Sequence, residues 1–463
     1  MRPCICFSRF GPYHLARLRA AAEVFPHLIA LEWSSVDLTY AWSEETKDQN
    51  LDWRTVLQDR APDEIGVDEL ILALESALGN DRPDIFVLNG WGFQASRAAL
   101  IFAKRHNIPT VVMSESTPWD AARNPLKEQI KRQIVRAFDG ALVGGRAHVD
   151  YLVQLGMARD RIYLGYDVID NDYFSSGTAR IRRASNLGET TEPENLVDSH
   201  NAISGSTTSG STILPKAELE ARTRKPEKSF FLASARFIQK KNHERLVSAY
   251  AQYSEIVDSH EAWDLVIVGD GELRSDLVTH IEHSGLDLVT APTGPFSEPA
   301  EIASTESRAD GQQRSACARR ATVYLPGFKQ YAELPLWYAA ANAFVHPSTV
   351  EQWGLVVNEA MASRLPVIVS DRCGSAGELV RDGENGFLID PYETESIRDA
   401  LLRMHHLSQK ERSRMGDHAV TQVEKFGPSR FAEGLKNAVT SVEGCRVRRL
   451  SLFQRALIRV LSR

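Results

Sequence analysis

Short apolar runs alternating with segments of helical period constrain this chain more than any other feature. Residues 343–345 (AFV) form such a run, which breaks at His346-Pro347-Ser348 into a polar loop. Residues 354–363 then place Leu355, Val356, Glu359, Ala360 and Met361 at helical spacing, and residues 365–370 (LPVIVS) are apolar again. An apolar run too short for a helix and flanked by helical segments reads as a buried parallel strand. Residues 3–8, 85–88, 110–113, 141–143, 230–233, 265–268 and 323–325 read the same way. Between them lie helical patterns at 15–24, 68–78, 95–106, 125–138 and 243–253. Alternation of this kind implies an α/β chain whose parallel sheets are covered by helices on both faces. A length of 463 residues, 43% of them hydrophobic, is enough for two ordinary cores.

Composition mainly excludes. A net charge of −7 argues against a nucleic-acid protein, which carries a broad basic excess. The five cysteines form neither a disulfide framework nor a metal-ligand spacing: Cys4 and Cys6 are two apart on one strand, and Cys317, Cys373 and Cys445 stand alone. No apolar run is long enough to span a bilayer, and the opening MRPCICFSRFGP has too short an apolar core for a signal peptide. The expectation is a soluble, cytoplasmic protein of a reducing compartment.

The chemistry concentrates in residues 346–391. Glu351 lies in the loop and Glu359 on the following helix, with the helix N-terminus between them at Gly354, Leu355 and Val356. Unpaired backbone N–H groups and the helix dipole favour an anion there. A carboxylate on each side of a phosphate site suits a nucleotide-sugar, one for ribose hydroxyls and one for sugar hydroxyls; the bland alternative is two solvated surface acids. Arg236, Lys240 and Lys241 follow another strand end and are either a solvated basic loop or a grip on a pyrophosphate.

With those residues in view, the stretch resembles the signature of family-4 glycosyltransferases, retaining enzymes of the GT-B fold. The E-x7-E pattern reads Glu351-Gln-Trp-Gly-Leu-Val-Val-Asn-Glu359, and Ala360-Met361-Ala362, Leu365-Pro366-Val367-Ile368 and Asp382-Gly383-Glu384-Asn385-Gly386-Phe387 follow in the family's order. The resemblance implies two Rossmann-like domains facing across a cleft. It maps the family's R-x4-K donor-phosphate motif onto Arg236 and Lys241, and places Gly327 against the nucleotide base. It also implies that Glu351 meets the donor sugar and Glu359 the ribose. The implied reaction moves a sugar from a nucleotide-sugar to an acceptor hydroxyl of a glycan, lipid-linked or polysaccharide precursor, with retention of configuration. The two cations can do what a metal does elsewhere, so neither metal nor cofactor is expected.

The acceptor side is expected in the first domain, beyond the carboxyl ends of its strands. Its opening turn, Gly11-Pro12-Tyr13-His14, carries one glycine where the resembling family is commonly richer in them; His14 is either functional or a structural loop histidine. Trp91 and Trp119 either stack on sugar faces or fill a core. Glu115, just past a strand, is placed to orient an acceptor hydroxyl or draw its proton. Many relatives have a histidine nearby, whereas this chain has none between Met113 and Asp120.

The expected organisation is an N-terminal acceptor domain (1–172), a flexible serine- and threonine-rich crossing (173–228), and a donor domain (229–425) with a second flexible insertion near 292–320. Residues 426–463 form C-terminal helices with a basic tail. That tail bears Arg446, Arg448, Arg449, Arg455, Arg459 and Arg463 among Leu450, Leu452, Phe453, Leu457, Val460 and Leu461. It either lies on an anionic membrane, as basic amphipathic helices do, or returns to pack on the first domain, as the resemblance implies. Two other classes fit the same residues: a nucleotide-sugar epimerase of this fold, and a non-catalytic protein that binds sugar nucleotide or glycan.

Overall fold

The computed structural model describes residues 1–36, 47–186, 228–258, 260–290 and 321–461. Most of the expected crossing (187–227), the insertion at 292–320 and Arg463 lie outside these residues.

Among the described residues the chain forms two parallel sheets. The first holds β1 (Pro3–Phe7), β2 (Ile29–Ser34), β3 (Asp52–Leu57), β4 (Ile85–Asn89), β5 (Thr110–Ser114), β6 (Gly140–Val143) and β7 (Ile162–Leu164), in the order β3-β2-β1-β4-β5-β6-β7. The second holds β8 (Phe230–Ser234), β9 (Asp264–Val268), β10 (Asp287–Thr290), β11 (Thr322–Leu325), β12 (Ala343–His346), β13 (Val367–Ser370) and β14 (Gly386–Ile389), in the order β10-β11-β9-β8-β12-β13-β14. Helices cover both faces, so the central strands are buried along their whole length, which is why they read as unbroken apolar runs.

β3 falls in residues 33–63, a stretch without a clear pattern, and β2 ends at its start. β2 is fully buried although Glu32 interrupts its apolar run. The Glu32 carboxylate accepts from Phe10 N–H (3.0 Å), Trp53 Nε1 (2.9 Å) and Thr55 Oγ1 (2.8 Å), so its burial is compensated by tertiary partners that no local pattern reveals. β3 is a partly exposed edge strand and polar for that reason.

The expected flexible crossing from residue 173 needs correction at its start. Asn171–Asn186 is a helix. Its Phe174 is fully buried in the second domain's core, and Arg182 donates to the carbonyls of Tyr338, Ala339 and Ser363. These anchors offset the low apolar content that made the segment read as unstructured.

After the second sheet the chain returns to the first. The helix Pro428–Val442 packs Phe431, Leu435, Ala438, Val439 and Val442 into the first domain's core. Gly434 makes the approach possible: a Cβ there would stand 2.1 Å from the Leu164 carbonyl oxygen. The helix Leu452–Val460 then docks through buried Ile458, with Gln454 Nε2 donating to Gln133 O (2.8 Å) and Arg459 paired to Asp68 (2.9 Å). Part of the tail's apolar face is therefore intramolecular. No helix among the described residues is long and apolar enough to cross a membrane.

Candidate functional site

β8 and β12 are parallel neighbours, so the loops leaving their carboxyl ends lie side by side. Thr349 N–H donates to Lys240 O (2.9 Å), and Asn242, held in the left-handed region at φ 62°, donates from Nδ2 to the carbonyls of Pro347 (3.0 Å) and Pro391 (2.7 Å). Residues 236–242 and 346–351 are thereby stitched into one surface.

That surface brings the two motifs together. Lys241 Nζ pairs with the Glu351 carboxylate, whose Oε2 also accepts from His346 Nε2 (3.0 Å) and lies 3.4 Å from Ser348 Oγ. Burial alone would raise the Glu351 carboxyl, but Lys241 and His346 outweigh it and hold the group well below the usual carboxylate range. His346 is itself depressed by burial, against the pull of Glu351. Arg236 and Lys240 belong to the same electrostatic cluster. Burial lowers the Lys240 ammonium, Glu351 and Glu115 oppose that shift, and Lys241 and Arg236 add to it. Three cations thus face few acids in a partly dehydrated place, an arrangement that favours an anionic ligand.

The helix Leu355–Ala362 begins beside this cluster. Its N-cap, Gly354, has φ 91°, and a Cβ there would stand 2.9 Å from Cys373 Sγ. Leu355 and Val356 are only partly buried, and their N–H groups, in this first turn, have no acceptor within the helix. Glu359 is fully buried on the same helix, where Oε1 accepts from Tyr13 OH (2.5 Å) and Oε2 from Tyr338 OH (2.7 Å). Burial raises its carboxyl despite both hydroxyls. Gly327, at φ 80°, accepts Gly269 N–H through its carbonyl at the end of β11.

Across the cleft the two domains touch directly. Besides Tyr13–Glu359, Trp119 Nε1 donates to Arg372 O (3.0 Å) and Arg146 N–H to Glu378 Oε1 (2.9 Å). Trp353 lies against Gly144, where a Cβ would meet its ring at 2.7 Å. His148, passed over in the sequence, accepts Gly145 N–H at Nδ1 (3.1 Å) and donates from Nε2 to Gln352 O (3.0 Å).

His14 makes the equivalent cap on the first helix: Gly11 N–H donates to its Nδ1 (3.1 Å), and its ring packs on Phe7. Burial, with a smaller contribution from Arg17, pulls His14 down to about 3, so it is neutral at physiological pH and acts as a cap. Of the two readings of Trp91, the acceptor-side platform gives way to the core: it is 6% exposed and packed in the first domain's core. Glu115 is half-buried after β5, within electrostatic reach of Lys240 and His148. Lys240, read from the sequence with Arg236 and Lys241 as one basic group past a strand end, stands in the same cluster. His148 and His346 could not be read that way, because lone histidines carry no pattern.

Two parallel-sheet α/β domains with an anion-favouring cluster at the strand ends between them define the GT-B class of fold. Residues 312–422 match the family described as Glycosyl transferases group 1. Sucrose-phosphate synthase 4 of Arabidopsis thaliana is 32% identical over 133 residues, 27% of this chain and 12% of that protein. D-inositol 3-phosphate glycosyltransferase of Frankia alni is 40% identical over 106 residues, 22% of this chain and 25% of its own length. The aligned stretches thus span well under half of either relative. The crystal structure of Anabaena HepE in complex with UDP superposes with a TM-score of 0.61 at 16% identity, covering 95% of this chain and 100% of that one.

Proposed function

We propose that the protein transfers a sugar from a nucleoside-diphosphate sugar to an acceptor hydroxyl with retention of configuration. The observation that carries this reading is the convergence of Arg236, Lys240 and Lys241 with Glu351 at the start of the helix Leu355–Ala362. The diphosphate takes the cations and the helix N-terminus, the donor sugar takes Glu351, and the ribose takes Glu359. As the bond from the anomeric carbon to the phosphate oxygen breaks, the nucleoside diphosphate leaves with the electron pair, and the fixed cations stabilise the growing charge. The acceptor oxygen forms the new bond and gives up its proton on the side where Glu115 stands. Gly11, in the first cap, is assigned to the same acceptor side. Fixed cations supply the electrostatic role, so the reaction runs without a divalent ion.

The site is tested by a thermal-shift screen against UDP-, GDP- and ADP-sugars in EDTA, because a ligand bound only by the folded state raises its melting temperature. A shift with one base that survives EDTA is expected; no shift with any donor, or a shift wholly dependent on Mg²⁺, would overturn the reading.

Glu359 adds a sharper expectation. Its Oε1 is occupied by Tyr13 OH, so a ribose hydroxyl must displace that contact. Tyr13→Phe is expected to tighten UDP binding about two- to tenfold, the equivalent of the ~0.5–1.5 kcal/mol net value of one hydrogen bond. Titration calorimetry on both proteins checks it.

The acceptor chemistry draws on the tail. Leu452, Phe453 and Val460 are exposed beside Arg449, Arg455 and Arg459, while Ile458 faces the protein. That division supports peripheral contact with an anionic membrane and hence a lipid-linked acceptor.

A further inference from the structure

One buried acid plays no part in the mechanism above. Asp167 follows β7 in the first domain and is 1% exposed, yet neither carboxyl oxygen has a hydrogen-bond donor. It is wedged tightly: a Cβ on Gly144 would stand 2.1 Å from Oδ2. The polar side chain that acts on it most strongly is Glu115, a second carboxyl, both as a charge and as a hydrogen-bonding group. Arg17, the nearby cation, spends Nε and Nη2 on Val168 O (3.2 Å each) and stacks over Tyr166 at 4.8 Å. Two carboxylates cannot satisfy each other, because both only accept; one must carry a proton.

We propose that Asp167 is protonated in the folded protein and donates a hydrogen bond to Glu115, making it the positioning residue for the acceptor-side carboxylate. The proposal rests on the glycosyl-transfer reading for its catalytic consequence but not for the proton itself. Burial, and then the Glu115 carboxyl, push the Asp167 carboxyl well above the usual range, with Arg17 acting the other way. The charged and titratable groups around the pair are Arg17 from the helix Pro12–Val24, Tyr166 beside Asp167, and His148 and Lys240, which feel the Glu115 charge. A proton held between them lets Glu115 sit at the cleft wall without like-charge repulsion, with one oxygen fixed and the other facing the acceptor.

Two variants separate this from simple packing. Asp167→Asn keeps a donor to Glu115 at every pH, whereas Asp167→Ala removes it. Asp167→Asn is expected to keep transfer near the parent level at neutral pH and to lose the parent's decline at alkaline pH. Asp167→Ala is expected to lower kcat about tenfold or more with little change in donor KM. Melting without substrate reads the proton directly. Since the folded carboxyl is raised above its unfolded value of 3.8, ionisation costs the parent stability progressively as pH rises above that value. The melting advantage of Asp167→Asn should therefore widen with rising pH. A gap that stays level across pH, or Asp167→Asn as impaired as Asp167→Ala with an unaltered pH profile, would overturn the proposal. If no donor supports transfer, the melting comparison alone decides the proton. Asp167→Asn, nearly identical in shape, decides it even if Asp167→Ala does not fold.

Discussion

Lys241→Ala is expected to lower sugar transfer by about 10²-fold or more, the range for losing one fixed partner of a developing negative charge. Lys241 is one of three cations in the cluster, so the effect measures its particular placement against the leaving diphosphate rather than the site's total charge. The change also removes one partner of a buried pair and costs stability, but less than losing Glu351, because Glu351 keeps its hydrogen bond from His346 (3.0 Å) and lies near Ser348. Release of nucleoside diphosphate is the measurement, with a melting curve alongside. Parent-like turnover in a folded variant would remove Lys241 from the mechanism.

Glu351→Ala carries the largest expected stability effect. It leaves Lys241, with a side chain 12% exposed, beside an empty place where its counter-charge stood. Breaking a buried ion pair by removing one partner costs about 3–5 kcal/mol. The pH dependence has a definite sign. The folded Glu351 carboxyl lies below its unfolded value of 4.5, so its stabilisation is fully present above that pH and is lost as pH falls through the folded value. Denaturant unfolding at a series of pH values should show the parent's advantage level from neutrality to about 4.5, narrowing only below that. An advantage that narrows on the alkaline side instead would assign the stability to a different group.

The parts of the protein differ in how plainly their residues announce them. β1, β4, β5, β8, β9, β12 and β13 are buried on both faces, so each carries an apolar run, with polar residues confined to its ends, and each is visible as such. β2 hides because Glu32 is satisfied by Phe10, Trp53 and Thr55 from elsewhere in the chain. The helix Asn171–Asn186 hides because a few anchors, Phe174 and Arg182 among them, hold an otherwise polar segment.

The donor side was legible for a local reason. Each of its motifs is one strand end and the loop that follows, so the spacing of Arg236 and Lys241, or of Glu351, Glu359 and the glycine between them, already implied their shared chemistry. Whether the cations and Glu351 meet depends on β8 and β12 being neighbours, although 110 positions separate Lys241 from Glu351. Only the folded chain could decide that, and it decided more on the other wall of the cleft. Trp91 went to the core, His14 and His148 became helix caps, Tyr13 took Glu359, and Asp167 was pressed against Glu115. A residue's type and immediate neighbours follow from the order of the chain; its dielectric surroundings and its distant partners follow from packing, and those set its charge.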